Sequence, residues 1–429
     1  MANIAIVGLG PVGLATGVAF ATQGNRVTAF DVNPSRCAQV AGGGSPFYEK
    51  GLGTALKQVL RQARFRVVDS MDDTLGSSTI VFLCVGTPSR ADGTMDDRPI
   101  GEATKSIADA WADERRRIVV VKSTVLPGTT ESVLRPILKS GGRPLLAEVA
   151  VNPEFLREGH ALEGALHPDR IVLGVDRTAT ARRLRTLYRA AKCPVLVTDI
   201  RTAEAIKYAT NAFLATKVAF ANELANLCQA LGVSYDEVHR GLSLDSRINS
   251  RFLVPGVGFG GSCFPKDLRA LIAAARIRGI DPILLSAVLD QNDAQYMRAV
   301  DLLQDAVGDL KDHRVALLGL AFKGETDDVR ESRAVPIAQA LLAKGATVVG
   351  YDPVAGPAFS RVVPDVFIAN SIQEALTGAH GAIVQADWPA FSRLTAKEFT
   401  STMASPIVVD GRRILDPKKM TGVRFRRIG

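Results

Sequence analysis

The chain has 429 residues, of which 47% are apolar and 22% charged, and carries a net charge of +8. That length exceeds what one core usually supports, so two or more domains are expected, in an ordinary soluble globular protein rather than a disordered or fibrous one. The basic excess is spread along the chain, with only short clusters such as "ERRR" (114–117) and "RFRR" (424–427), and aromatics are few. This argues against a nucleic-acid module and leaves a solvated basic surface that helps attract anionic small molecules.

Met1 leads straight into the strand-like "NIAIVG", so no signal peptide is expected. The most apolar long segment, 202–231, is interrupted by Lys207, Asn211, Lys217 and Glu223, so no membrane span is expected either. Cys37, Cys84, Cys193, Cys228 and Cys263 are odd in number, scattered and never spaced C-x-x-C. They suit a cytoplasmic protein with free thiols, and no metal site is expected.

In chain order, β-branched runs apolar on both faces alternate with helical patterns: "IAIVG" (4–8), "RVTAFDV" (26–32), "TIVFLCVG" (79–86), "RIVVVKST" (117–124), "AEVAVNP" (147–153) and "DRIVLGV" (169–175). Such runs indicate parallel βαβ units. "RVALLGLAF" (314–322), "TVVGYDP" (347–353), "AIVQADW" (382–388) and "PIVVDGRR" (406–413) repeat the pattern in the last third. The expected fold is α/β, with two Rossmann-like parallel-sheet domains joined by a long central helix. That helix, 202–231, contains neither Gly nor Pro and would be ~45 Å long. Its apolar positions go around more than one face, which favours a second subunit against it over a single buried setting.

"GLGPVG" follows the first strand and precedes a helix, placing Gly8, Gly10 and Gly13 in the G-x-G-x-x-G spacing, and Asp31 ends the next strand. Glycine at position 10 leaves the pyrophosphate unobstructed, the helix N-terminus offers unpaired N–H groups, and a carboxylate at about that offset meets the adenosine ribose. Asp31 would repel a 2′-phosphate, which favours NAD over NADP; Arg36 either flanks the adenosine or softens that repulsion. In the last third, "LGLAFKG" (318–324) and "YDP" (351–353) resemble a Rossmann half that lacks the three-glycine spacing, with Lys323 available to a diphosphate.

"GFGGSCFPKD" (258–267) surrounds one thiol with glycines just ahead of a helix that Pro265 fits at its first position. A ligand can reach Cys263 there, and the helix end lowers a thiol's pKa. A nucleophilic Cys263 is the sharp reading and a small residue in a turn the bland one, while the other four cysteines read as core residues. Lys207 and Asn211, four apart in "KYATN", project from one helix face and would suit an oxyanion or a developing alkoxide.

At these residues the sequence resembles the UDP-glucose/GDP-mannose dehydrogenases. The resemblance runs through "VGTPSRADG" (85–93), "KSTVLPGT" (122–129), "NPEFLREG" (152–159), "HPDRIVLG" (167–174), "AEAIKYATNAFLATK" (203–217), "GVGFGGSCFPKDL" (256–268), "LGLAFKGETDDVRES" (318–332) and "DGRRILD" (410–416). It implies an NAD-binding domain at 1–200, a central helical domain with the dimerisation helix and cysteine loop at 201–300, and a UDP-binding domain at 301–429. It also implies NAD-dependent four-electron oxidation of the C6 alcohol of a nucleotide sugar, UDP-glucose in the branch nearest this wording. Cys263 would pass through a thiohemiacetal and a thioester, Lys207 and Asn211 would hold the C6 oxygen, and Asp267 with Lys207 would organise a water. Thr124 and Glu154 would serve the hydrolysis.

For NAD the resemblance implies Gly8, Gly10, Gly13, Asp31, Arg36, Thr87, Thr124, Glu158 and Arg330. For the nucleotide sugar it implies Phe155, Leu156, Lys207, Asn211, Arg247, Phe252, Gly260, Phe322, Lys323 and Arg412. Arg247 resembles an arginine that crosses from a neighbouring subunit, so a homodimer is expected. Departures from the family pattern are Asn249 where glycine is usual, Arg333 where a small residue or proline is common, and Lys50 where proline is usual. The competing readings are a dTDP-glucose or GDP-mannose 6-dehydrogenase, a one-step hydroxyacid dehydrogenase that needs no thiol, and a nucleotide-binding regulator without turnover.

Overall fold

The computed structural model of the chain describes residues 1–140 and 146–429. They form two compact units, Met1–Thr210 with Arg269–Ile277 and Asn211–Leu268 with Arg278–Gly429. In the first unit the strands β1 (Asn3–Val7), β2 (Arg26–Phe30), β3 (Phe65–Val67), β4 (Ile80–Leu83), β5 (Arg117–Val121), β6 (Ala147–Val151), β7 (Ile171–Val175) and β8 (Val195–Thr198) make one sheet, ordered 3-2-1-4-5-6-7-8. Because side chains alternate along a strand, Ile4, Ile6, Phe82, Ile118 and Val120 enter one core, while Ala5, Val7, Val81, Leu83, Val119 and Val121 enter another. Both faces are covered, which is why these strands read as unbroken apolar runs.

The sheet is parallel except between β6 and β7, which pair antiparallel at Ala150–Val175 and Val151–Gly174. The expectation of parallel pairing throughout is corrected at this step. A parallel return needs a crossover along the strands, and the intervening segment carries only the six-residue helix Ala161–Leu166.

In the second unit β9 (Arg314–Leu318), β10 (Thr347–Tyr351), β11 (Phe367–Ile368), β12 (Gly381–Val384), β13 (Ile407–Asp410) and β14 (Arg424–Arg427) form a fully parallel sheet, ordered 11-10-9-12-13-14. Each sheet reverses its strand order once, between β1 and β4 and between β9 and β12. The crevice at the carboxyl ends of such a pair is where α/β sheets take ligands.

The long helix runs Ile200–Ala230, 31 residues, and the division between the units falls within it, after Thr210. Beyond Thr210 it leaves Phe213, Phe220 and Leu227 exposed at seven-residue spacing. Among the described residues, no helix is long and apolar enough to cross a membrane.

Candidate active site

The turn after β1 is built by backbone constraint. Gly8 has φ +101, its N–H donates to the Phe30 carbonyl at 2.8 Å, and a Cβ there would lie 2.7 Å from the Cys84 carbonyl oxygen. A Cβ on Gly13 would fall 1.9 Å from the Gly8 carbonyl, so only glycine lets the helix Pro11–Thr22 start this close to the strand. Gly10 caps that helix, and the space where its Cβ would be is open. Open space at the amino end of a helix fits a pyrophosphate. Asp31 is buried, accepts the Leu9 N–H at 2.7 Å and the Asn33 N–H at 2.9 Å, and receives an Arg36 guanidinium hydrogen bond at 3.0 Å. Arg36 therefore sits on the acid and partly neutralises it. Thr87 donates its hydroxyl to the Thr124 carbonyl at 2.7 Å, joining the loops that follow β4 and β5, and Glu158 is half-buried in this same unit.

The second unit repeats the turn without the opening. Gly319 has φ +95 and donates to the Tyr351 carbonyl at 2.8 Å, as Gly8 does to Phe30. Asp352 accepts from the Leu320 and Ala321 amides at 2.8 and 3.2 Å, and the Trp388 indole N–H reaches it at 3.1 Å. Ala321 stands where Gly10 does, the indole fills the place beside the acid, and the next helix begins only at Ala334. This half has lost the dinucleotide geometry.

A buried polar cluster lies in the first unit, just past the carboxyl ends of β5 and β6. The Lys207 ammonium lies 2.8 Å from Glu154 Oε1, both side chains being almost completely buried, and Glu154 Oε2 accepts the Leu156 N–H at 2.5 Å. Burial pushes the Glu154 carboxyl up, but Lys207, the Leu156 amide and Lys122 together hold it below the usual range. Phe155 lies under two cations, with Arg170 3.8 Å and Lys207 5.6 Å from its ring centre.

Lys122, absent from the expected site residues, belongs to this cluster. Its ammonium donates to Asn152 Oδ1 at 2.9 Å, the Tyr188 hydroxyl donates to the same oxygen, and burial pulls its pKa down to about 8, with Cys84 and Glu154 opposing that fall. The signal was a lysine closing the apolar strand run "VVVK". The folded state releases this proton near pH 8, whereas an unfolded lysine holds it to 10.5, so the lysine is a constant cost below about 8 that shrinks as pH rises through that window. Lys122→Met is expected to raise stability at neutral pH, by up to about 3 kcal/mol, because Tyr188 still satisfies Asn152. Denaturant unfolding checks this; a variant less stable than the parent would make the ammonium a net structural tie.

In the second unit the cysteine loop is as the glycines predicted. Gly258 and Gly261 have φ +100 and +82, and a Cβ on Gly260 would stand 2.2 Å from the Glu331 carbonyl oxygen. The Cys263 carbonyl accepts the Asp267 N–H at 2.9 Å, at the start of the helix Phe264–Ile277, and the residue is half-buried with its thiol 3.6 Å from the Ser262 hydroxyl. Asp267, 1% exposed, is held from two sides: Asn211 Nδ2 donates to Oδ2 at 2.6 Å and Lys266 Nζ to Oδ1 at 2.6 Å. Lys207 and Asn211 are one turn apart on the same helix, as expected.

Arg412 donates to the carbonyls of Gln385 at 2.5 Å and Phe322 at 2.7 Å, at the carboxyl ends of β12 and β9. Burial lowers its pKa, and Asp387 opposes that. The Lys323 ammonium lies 5.9 Å from the Phe322 ring centre. Arg330, expected at the cofactor, is in this second unit, exposed and bonded to Asp328 at 2.6 Å; Arg247 is also exposed and bonded to Asp245 at 2.6 Å. Phe252 is exposed with φ 62, and Asn249 has φ 54. Asparagine is the residue that best replaces glycine in that region, which accounts for its departure from the family pattern.

Comparison with known proteins covers the chain from end to end. The UDP-glucose/GDP-mannose dehydrogenase family models match in three segments: the NAD binding domain at residues 2–192, the central domain at 201–294 and the UDP binding domain at 316–417. The UDP-glucose 6-dehydrogenase AglM of Haloferax volcanii is 43% identical over 96% of this chain and 97% of its own. The UDP-glucose 6-dehydrogenase YwqF of Bacillus subtilis is 38% identical over 100% and 97%. A solved UDP-glucose dehydrogenase from the archaeon Pyrobaculum islandicum superposes with a TM-score of 0.93 at 39% identity, covering 100% of this chain and 97% of that one. A two-sheet α/β fold, a dinucleotide turn with an open Gly10 and a thiol at a helix start thus coincide with full-length matches in all three segments, and the chain belongs to the UDP-glucose/GDP-mannose dehydrogenase family.

Proposed function

We propose that this chain oxidises the C6 alcohol of UDP-glucose to the carboxylate of UDP-glucuronate, with Cys263 as the nucleophile. The observation that carries the reading is the half-buried Cys263 in its glycine loop, one helical turn from an Asp267 that Asn211 and Lys266 hold in place. Two NAD molecules, bound in turn, would each take up one hydride per sugar, the first from the alcohol and the second from the thiol adduct.

Gly8, Gly10, Gly13, Asp31 and Arg36 would hold the cofactor's adenosine and pyrophosphate, with Thr87, Thr124, Glu158 and Arg330 contributing further along it. Lys207 and Asn211 would hold the C6 oxygen and offset the charge it gains as its proton leaves through a water on Asp267. The Cys263 sulfur then adds to the aldehyde, and the resulting thiohemiacetal again carries a removable hydride on C6. Its loss, with the hydroxyl proton, leaves a thioester. Water positioned by Glu154 and Thr124 cleaves the C–S bond, returning the thiol and releasing the acid.

Phe155, Leu156, Gly260, Phe252, Phe322, Lys323 and Arg412 would receive the nucleotide sugar. The match to a UDP binding domain and the names of the two relatives support uridine diphosphate over guanosine or thymidine nucleotides. In functional terms the chain divides as 1–200 for the cofactor, 201–300 for the helix and thiol, and 301–429 for the nucleotide, in a cytoplasmic enzyme. NADH yield against limiting UDP-, dTDP- and GDP-hexoses tests this reading. Two NADH per UDP-glucose support it; one NADH, or a preference for another base, overturns it.

The active form is a homodimer through the long helix. Phe213, Phe220 and Leu227 are 66, 53 and 52% exposed and seven residues apart, and Leu231, 67% exposed, extends the same stripe. Seven-residue spacing keeps them on one face, and covering each would contribute about 1.5–3 kcal/mol at full burial. Phe213→Glu with Phe220→Glu is expected to convert a dimer to monomers in sedimentation velocity. A parent that sediments as a monomer would contradict this.

A further inference from the structure

The backbone ahead of Cys263 is held by side chains rather than by a sheet or helix. Asn222 accepts the Gly256 N–H at 2.7 Å and Gln295 donates to the Gly256 carbonyl at 2.9 Å. Asn292 grips Phe259 from both sides, accepting its N–H at 2.7 Å and donating to its carbonyl at 3.1 Å. All three amide side chains are almost fully buried. Further on, the Gly261 N–H donates to the Arg330 carbonyl at 3.1 Å.

Arg333 adds a grip these amides do not require. It is 6% exposed, its Nε donates to the Phe259 carbonyl at 2.9 Å, one Nη donates to Asp293 at 3.2 Å, and the other lies 3.9 Å from Glu331. The Phe259 carbonyl is already satisfied by Asn292, so the arginine is not there to pair an orphan. Burying a guanidinium is costly unless it is well compensated, and compensation here is thin. Asp293 is half exposed, Glu331 is beyond hydrogen-bond distance, and the positive charge disfavours the neighbouring charged guanidinium of Arg412.

What the arginine does achieve is mechanical. It ties Phe259 to the helix Ile283–Gln295 through Asp293 and to the start of the helix Ala334–Ala343 through its own backbone. Three of the four residues 258–261 are glycine, which lets the loop adopt its left-handed turns but leaves it many alternatives. We propose that Arg333 is a positioning residue for Cys263, selecting one loop conformation that glycines alone would not hold.

This rests on the reading of Cys263 as nucleophile, so the test separates the two. Hydrogen exchange of the peptide spanning 257–263, in the free protein, reads the clamp without turnover; kcat and KM with UDP-glucose read its consequence. In Arg333→Ala we expect loop exchange faster and kcat lower, each by about 10-fold or more, the loss typical of one charge-assisted hydrogen bond, with KM changed little. Millimolar guanidinium should restore part of both, and Arg333→Lys should fall between, since it keeps the charge with a single contact. A merely structural arginine would show neither the kcat-only loss nor the rescue. Unchanged loop exchange overturns the proposal, as does faster exchange with the parent's kcat.

Discussion

Cys263→Ser is expected to abolish acid formation while leaving slow, aldehyde-level oxidation, so that limiting UDP-glucose yields at most one NADH. The reason is chemical rather than structural. The half-buried side chain changes by one atom, and the helix cap at residue 263 is made by its carbonyl, which the substitution keeps. Folding and nucleotide binding should survive, whereas a serine hydroxyl, far less ionised than a thiol at neutral pH, captures the aldehyde poorly and leaves badly from the ester. Product analysis by mass spectrometry checks it. UDP-glucuronate at the parent's rate would remove the thiol from the mechanism and restore the one-step dehydrogenase reading.

The second large effect is expected at Lys207. Lys207→Ala should lower turnover by about 100-fold or more, the range for removing one oxyanion donor. The structure adds a second consequence. The Glu154 carboxyl is held low because the lysine, 2.8 Å away, acts with the Leu156 amide and Lys122 against its burial; without that cation, burial, the largest single influence, prevails and the carboxyl moves above its ordinary value.

In the parent, a depressed carboxyl contributes stability that is present above its unfolded pKa and lost as pH falls through the folded one. In the variant the sign reverses, and the folded state holds its proton longer than the unfolded chain. Stability relative to the parent should therefore fall as pH rises from mildly acidic to mildly alkaline buffer. Thermal melts of both proteins across that range check it, and a constant gap would mean that Glu154 does not depend on Lys207 for its charge.

The strands that could be read from the sequence are the buried ones. β1, β4, β5, β9, β12 and β13 are apolar on both faces and announce themselves. The four strands that were missed, β3, β8, β11 and β14, are the edges of the two sheets. An edge strand is short and half solvated, so its composition looks like loop. "RFRR" reads as a basic cluster, yet it is β14, with Arg424 and Arg426 exposed and Phe425 and Arg427 partly covered.

Among the candidate site residues, spacing pointed to Gly8, Gly10, Gly13, Asp31, Cys263, Lys207 and Asn211, because each depends on local backbone or helix geometry. Family resemblance supplied Glu154 and Asp267, whose partners lie 53 and 56 residues away at Lys207 and Asn211. The amides that hold the cysteine loop escaped notice because nothing local marks them, and Lys122 was marked only as the lysine that closes an apolar strand run. Arg333 was visible only as a departure from pattern, and its contacts with Phe259 and Asp293 give that departure a physical meaning.

The central claim is that one sulfur atom retains a half-oxidised sugar until its second pair of electrons has left. Rapid acid quench of the enzyme turning over UDP-glucose with excess NAD, followed by peptide mass spectrometry, looks for the bound uronyl group directly. The account predicts a mass increase confined to the peptide carrying Cys263, enriched when Glu154→Gln slows hydrolysis. An active enzyme that never carries that adduct, or carries it on another residue, would contradict it.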